Sequence, residues 1–231
     1  MMWRLIEDGL VQIRSPMVCN YLLIDEERRS ASLIDSGFFG ALDSIEAALG
    51  HFGLGWESLE NILMTHGHLD HMYLTRAEVE LSGARVFAHP MEAAHLAGKY
   101  PYRGLATVCG GLEAAGRFLL GFRPVEEFEP LADRQELDIW GGLEVIHCPG
   151  HTDGHCGFFS RSRRFFFSGD LFLNTWWRVM TPWPWLNTRP EVIPSGLERV
   201  LALPMEGLLA NHCDMASPQE QLRRFRRFMK R

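Results

Sequence analysis

Apolar residues along the chain fall into short runs separated by polar or glycine-containing segments, and the spacing within the runs changes repeatedly. Residues 10–13, 18–24 and 31–34 are apolar or β-branched, which predicts three strands, with Asp25-Glu26-Glu27-Arg28-Arg29 as a charged turn. From 40 to 52 the period lengthens: Leu42, Ile45, Leu49 and Phe52 share one face, as in an amphipathic helix. Residues 59–64 read as a buried strand, 65–71 as a dense polar loop, 73–82 as a helix and 85–88 as a short strand. His89-Pro90 opens another helix, since proline suits a first helical turn. Between 96 and 130 glycines and prolines break the pattern, and only 112–120 carries helical spacing. Strands resume at 136–140 and 143–147, joined by Gly141-Gly142, a strong hairpin signal. A second hairpin is expected from 156–160 and 164–168. An aromatic, proline-containing loop follows at 176–187, then a helix at 190–203 and a strand at 207–210. A last helix at 217–230 is capped by Ser217, with Pro218 at its first position and Glu220 completing a capping box.

The strand-and-helix pattern runs twice without an exact sequence repeat, which predicts two sheets packed together with helices outside. A chain of 231 residues suits one α/β domain, here 1–231, with 96–130 as a helical and loop insertion.

Polar residues concentrate where apolar runs end. Thr65-His66-Gly67-His68-Leu69-Asp70-His71 places four potential metal ligands within six residues, directly after a predicted strand. The ends of strands are where α/β folds usually put their chemistry. Imidazole and carboxylate together suit zinc, iron or manganese. Three later segments repeat the arrangement: Cys148-Pro149-Gly150-His151-Thr152-Asp153-Gly154-His155, Phe167-Ser168-Gly169-Asp170-Leu171-Phe172 and Asn211-His212-Cys213-Asp214.

Taken in order, these segments resemble the metallo-β-lactamase superfamily: H-x-H-x-D-H, a histidine after Pro-Gly, an aspartate after glycine and a late histidine. Asp35 in Leu33-Ile34-Asp35-Ser36-Gly37 matches the family's first motif, an aspartate behind the ligands. The resemblance implies a four-layer αββα sandwich of two mixed β-sheets with outer helices. It implies that His66, His68 and His151 hold one divalent metal, that Asp70, His71 and His212 hold a second, and that Asp170 bridges them. Zinc is the expected ion, with iron and manganese suiting the same donors. A hydroxide between the metals would attack the substrate, and Asp70 would orient it. Asp153 and Asp214 adjoin ligands and are expected to support them from behind, as is His155. His51, His89, His95 and His147 are expected at the surface or at helix caps.

The bridging position narrows the reaction. The family's β-lactamases have cysteine or serine there, so Asp170 argues against β-lactam hydrolysis, and His68 stands where diiron flavoproteins have glutamate. The chain is most similar to the glyoxalase II-like thioester hydrolases and the related lactonases. It ends within about twenty residues of His212, so the helical region that glyoxalase II adds for glutathione is expected to be missing. Phe172, Trp176, Trp177, Arg178, Trp183 and Trp185 are candidates for an apolar substrate pocket, with Arg178 able to meet a carboxylate. The alternative for the aromatics is a satellite core or a homodimer contact. The competing reactions are a mononuclear iron persulfide dioxygenase, which would use only His66, His151 and Asp170, and a phosphodiester hydrolase. A non-enzymatic metal-binding protein is the third alternative.

Composition limits the partners. The formal net charge is −6, which argues against a nucleic-acid footprint and for a small-molecule substrate. The basic run from Arg223 to Arg231 is expected to be the solvated face of the last helix. Five cysteines, Cys19, Cys109, Cys148, Cys156 and Cys213, form no C-x-x-C pair and are expected to be reduced thiols in the cytoplasm. No apolar stretch reaches the roughly 18 residues of a membrane span, and residues 1–8 do not resemble a signal peptide.

Overall fold

The computed structural model describes residues 2–99, 101–175 and 178–230. Seven strands form the first sheet in chain order: β1 (Trp3–Glu7), β2 (Leu10–Arg14), β3 (Cys19–Asp25), β4 (Ser30–Ile34), β5 (Leu59–Leu63), β6 (Arg85–Ala88) and β7 (Glu129–Pro130). The pairs from β1 to β4 are antiparallel and those from β4 to β7 parallel. The second sheet contains β8 (Glu136–Leu137), β9 (Leu143–His147), β10 (Cys156–Ser160), β11 (Phe165–Phe167) and β14 (Gly207–Leu209), in the order β14-β11-β10-β9-β8. Its β11–β14 pair is parallel and the others antiparallel. A separate hairpin joins β12 (Leu173–Thr175) to β13 (Arg178–Met180).

Period-two side-chain alternation divides each strand between two cores. Tyr21 and Leu23 of β3 enter the space between the sheets, whereas Leu22 and Ile24 face the other way. Phe158 of β10 and both Phe165 and Phe167 of β11 meet them from the second sheet, whereas Phe159 and Phe166 point outward. The outer face of the first sheet is covered by α1 (Ala41–His51) through Ala41, Ile45, Ala48 and Leu49. The outer face of the second is covered by α6 (Ile193–Leu201) and α7 (Pro218–Met229) through Leu197, Val200, Leu222 and Phe225. The result is the αββα sandwich, and it explains why the strands read as continuous apolar runs: both faces of each sheet are covered. Across the interface, the Tyr21 hydroxyl donates to the Ala210 carbonyl at 2.7 Å.

Ser217 caps α7 by accepting from Glu220 N at 3.2 Å. Two basic residues of that helix are paired, Arg223 with Glu220 and Arg224 with both Glu220 and Asp214, and Arg226 donates to the Met205 carbonyl. Four local expectations differ. Strand β1 was not predicted. The helix expected at 73–82 is α3 (Thr75–Ser82), but the polar loop expected at 65–71 ends in a further short helix, α2 (Leu69–Met72). Between α4 (Ala93–Leu96) and β7, helix α5 runs Thr107–Leu119, starting five residues before the expected 112. The aromatic segment expected as a loop over 176–187 contains a strand, β13, which pairs antiparallel with β12 just before it. Among the described residues no helix is long and apolar enough to cross a membrane.

Candidate metal centre

Parallel pairing of β4 with β5 brings the residues just beyond them side by side. Asp35, fully buried beyond β4, takes four donors: Thr65 N and Thr65 Oγ1, both at 2.7 Å, Asn211 Nδ2 at 2.8 Å and His71 Nδ1 at 2.9 Å. Its φ of 57° is left-handed, a strained conformation for a non-glycine residue. One carboxylate thus ties the loop after β5 to the segment after β14.

Three overlapping groups of side chains converge beyond the strand ends: His66, His68 and His151; His66, His71 and Asp170; Asp70, His71 and His212. Within each group the donor atoms lie within 4.8 Å of one another. Asp170 stands between the outer groups, with Oδ1 at 3.4 Å from His71 Nε2 and Oδ2 at 3.6 Å from His151 Nε2 and 3.0 Å from His212 Nε2. Asp70 Oδ2 is 3.3 Å from His212 Nε2.

The hydrogen bonds of the outer ring nitrogens determine what the inner ones offer. His71 Nδ1 meets the Asp35 carboxylate. His151 Nδ1 meets Asn187 Oδ1 at 2.8 Å, and His212 Nδ1 meets the Met17 carbonyl at 2.8 Å. These partners are acceptors, so each Nδ1 carries a proton, and in the neutral ring Nε2 is the nitrogen that can bind a metal. Thr65 Oγ1 gives its proton to Asp35 and therefore accepts from His66 Nδ1, 3.0 Å away. The Nε2 atoms of His66, His68, His71 and His151 are buried without a hydrogen-bond partner, as is Asp170 Oδ1. Orphaned polar atoms that converge on one place are costly unless something binds there. Imidazoles whose outer N–H is anchored to a carboxylate, amide or carbonyl are the usual form of metal-ligating histidine. The donor set therefore fits two divalent cations.

Electrostatics point the same way. Burial and the neighbouring rings hold His66 and His68 well below the usual imidazole range, and burial also lowers His151. They are neutral, as ligands must be. Burial opposes charge on His71 and His212 as well, but there Asp170 and Asp70 outweigh it. His71 is raised well above its ordinary range and His212 to about 10. Burial would raise Asp170, yet His212 and His71 hold it well below the carboxylate range. The cluster without an ion is therefore partly protonated, and a metal would displace those protons.

All seven residues expected as ligands lie in this cluster. His155 accepts from Asp170 N at 3.0 Å, which fixes the segment carrying that carboxylate. The turn there requires Gly169: its φ is +53°, and a Cβ would lie 2.6 Å from His155 Nε2. Other expected site residues lie elsewhere. Asp153 pairs with Arg189 at 2.7 Å, and Asp214 pairs with Arg224, because each adjoins a ligand in sequence but turns toward a nearby arginine. Phe172 is no pocket wall: it is fully buried and stacks on Phe225 at 4.7 Å in the core behind the second sheet. Trp185 packs with Leu186 against Tyr102, Ala106 and Cys109, and stacks with the exposed Trp183 at 6.2 Å. Arg178 is exposed at the start of β13, and Trp176 and Trp177 lie outside the described residues. His95, expected at the surface or a cap, is 3% exposed, and its ring meets Tyr102 edge-on at 5.1 Å.

Several supporting residues carried no sequence signal. Asn187 orients His151 and is itself held by donation to the Pro182 and Trp183 carbonyls. Arg117 of α5 donates to the carbonyls of Gly67 and His95 at 2.8 Å each and pairs with Glu113 at 2.9 Å. Glu113 in turn accepts from Leu69 N at 3.0 Å, at the start of α2.

Comparison with known proteins agrees with this geometry. The sequence pattern described as the metallo-beta-lactamase superfamily matches residues 14–201. The chain is 28% identical over 156 residues to a hydroxyacylglutathione hydrolase of Haemophilus influenzae, an alignment covering 66% of each chain and so less than two thirds of that relative's length. Its structure is similar to a metallo-beta-lactamase family protein of Thermus thermophilus, with a TM-score of 0.76 and 25% identity over 98% of this chain and 80% of that one. It is also similar to a protein solved in a di-iron-bound form, with a TM-score of 0.68 and 26% identity over 91% of this chain and 96% of that one.

Proposed function

The chain belongs to the metallo-β-lactamase superfamily, and from that premise we propose that it is a dinuclear metal-dependent hydrolase of an ester-like bond, a thioester or lactone, in a substrate with an apolar or acyl body. The observation that carries the metal reading is the set of buried, unpartnered Nε2 atoms on histidines whose outer nitrogens are anchored. His66, His68 and His151 would hold one ion, and Asp70, His71 and His212 the other, with Asp170 shared. Two divalent ions supply Lewis acidity toward a carbonyl oxygen and make water acidic enough to react near neutral pH. Zinc is proposed on donor type, and the similar di-iron-bound structure makes iron the competitor.

The chain's own residues supply orientation and proton transfer. Asp70 is the more accessible of the two central carboxylates, its side chain 22% exposed against 7% for Asp170. It lies where it can accept a proton from an attacking water and align it. Asp35, Asn187 and the Met17 carbonyl keep His71, His151 and His212 in their ligating tautomer. Similarity to a hydroxyacylglutathione hydrolase supports an acyl thioester, and Trp183 and Trp185 on the segment tied to His151 support an apolar group beside it. The net charge of −6 supports a small molecule rather than a nucleic acid. Five free thiols support a cytoplasmic setting.

The test is a panel of acyl thioesters, lactones, phosphodiesters and persulfides assayed on metal-loaded protein. Turnover of a thioester or lactone, lost on chelation and regained on adding metal, is expected. Asp70→Asn is expected to lower kcat about 10²–10⁴-fold, with metal content measured alongside to separate proton transfer from ligand loss. Oxygen uptake on a persulfide with no hydrolysis would overturn the proposal.

A further inference from the structure

One buried carboxylate outside the ligand set touches both loops that carry His66, His68 and His151. Glu92 closes the short 3-10 turn after β6 and is 1% exposed. Its Oε2 accepts from Gly67 N at 2.7 Å, between His66 and His68, and its Oε1 accepts from Gly154 N at 2.8 Å, three residues beyond His151. The first loop follows β5 of the seven-stranded sheet and the second follows β9 of the five-stranded sheet. A carboxylate has acceptor oxygens on both arms and no donor, so it can take an amide from each side at once. Both glycines are shaped to this contact. A Cβ on Gly154 would lie 2.7 Å from Oε1, and one on Gly67 would lie 3.1 Å from Oε2 and collide with the Cβ of His95.

We propose that Glu92 is a positioning residue for the first metal: by holding Gly67 and Gly154 on one carboxylate it sets the distance between the His66/His68 pair and His151. This rests on the reading that those histidines hold an ion. His71 and His212 are anchored from elsewhere, by Asp35 and by the Met17 carbonyl. A fault at Glu92 therefore weakens one ion and spares the other. Direct supports of metal ligands typically contribute 10–100-fold to affinity, and the expected loss is of that order.

Glu92→Gln tests this, because it keeps the side-chain length and one acceptor but turns an amide N–H toward the second backbone N–H. Stepwise Zn2+ titration against a competing chelator should show one affinity about 10–100-fold weaker and the other as in the parent. Co2+ spectra should assign the loss to the position held by His66, His68 and His151. Melting temperature with and without Zn2+ separates positioning from general stability: the zinc-induced increment shrinks, whatever happens to the metal-free value. Gly154→Ala displaces the same carboxylate from the other loop, should give the same one-sided loss, and carries the test if Glu92→Gln does not fold. Unchanged affinities, or an equal fall in both, would overturn the role of Glu92. A parent chain that binds no zinc would instead remove the metal reading beneath it.

Discussion

At the scale of single residues, the site is organised by groups that hold ligands rather than by the ligands alone. Asp35 accepts from four donors on three segments. Asp35→Ala would leave buried donors unpaired, each costing about 1–3 kcal/mol, so a loss of several kcal/mol is expected in urea unfolding of the metal-free protein. The histidines give a pH signature. In the folded, metal-free chain His212 titrates near 10 and His71 is also raised, against 6.5 for an ordinary imidazole. The folded state therefore binds more protons than the unfolded state between those limits. Their contribution to stability is complete below about 6.5 and is lost as pH rises through about 10. Melting temperatures of metal-free protein should accordingly fall from pH 6.5 toward 10. Metal-loaded protein should lack that fall and should instead lose its ions on acidification. A metal-free melting temperature that is flat over the alkaline range would contradict the pairing of these imidazoles with Asp70 and Asp170.

At the scale of elements, ligand loops follow strands because strand ends are the rigid points of the fold, and helix α5 secures one loop from outside. Arg117, 4% exposed, joins Glu113 to the Gly67 and His95 carbonyls. Arg117→Ala leaves Glu113 without its charge partner and is expected to cost about 3–5 kcal/mol, with reduced metal retention; calorimetry and metal analysis of the variant check both. The ligands were legible in the sequence because each sits at the end of an apolar run within a few residues of its motif neighbours. Their supports were not. Glu92 reaches Gly67 and Gly154 across 25 and 62 positions, and Asn187 reaches His151 across 36, so no local spacing records them. The true start of α5 was hidden because helix-weakening Gly110 and Gly111 lie in its first half; Gly110 faces the Tyr102 ring, where a Cβ would sit 2.7 Å away. Phe172 was misplaced because an apolar residue after a ligand reads alike whether it lines a pocket or enters a core.

At the scale of the whole molecule, two twisted sheets share one apolar interior, and the chemistry gathers at one edge where loops from both meet. Cys156 N donates to the Thr65 carbonyl at 2.8 Å, and Cys19 N to that of Asn211 at 2.7 Å, so backbone contacts between the sheets run directly behind the ligands. The layer order was legible in the sequence because the strand-and-helix pattern runs twice, which predicts two packed sheets with helices outside. The proposed function places two ions at this edge. Elemental analysis of the chain after reconstitution with divalent metal and dialysis tests it most directly. Close to two ions per chain is the predicted result, falling when His66 or His212 is replaced by alanine. One ion or none per chain, unaffected by those replacements, would contradict it.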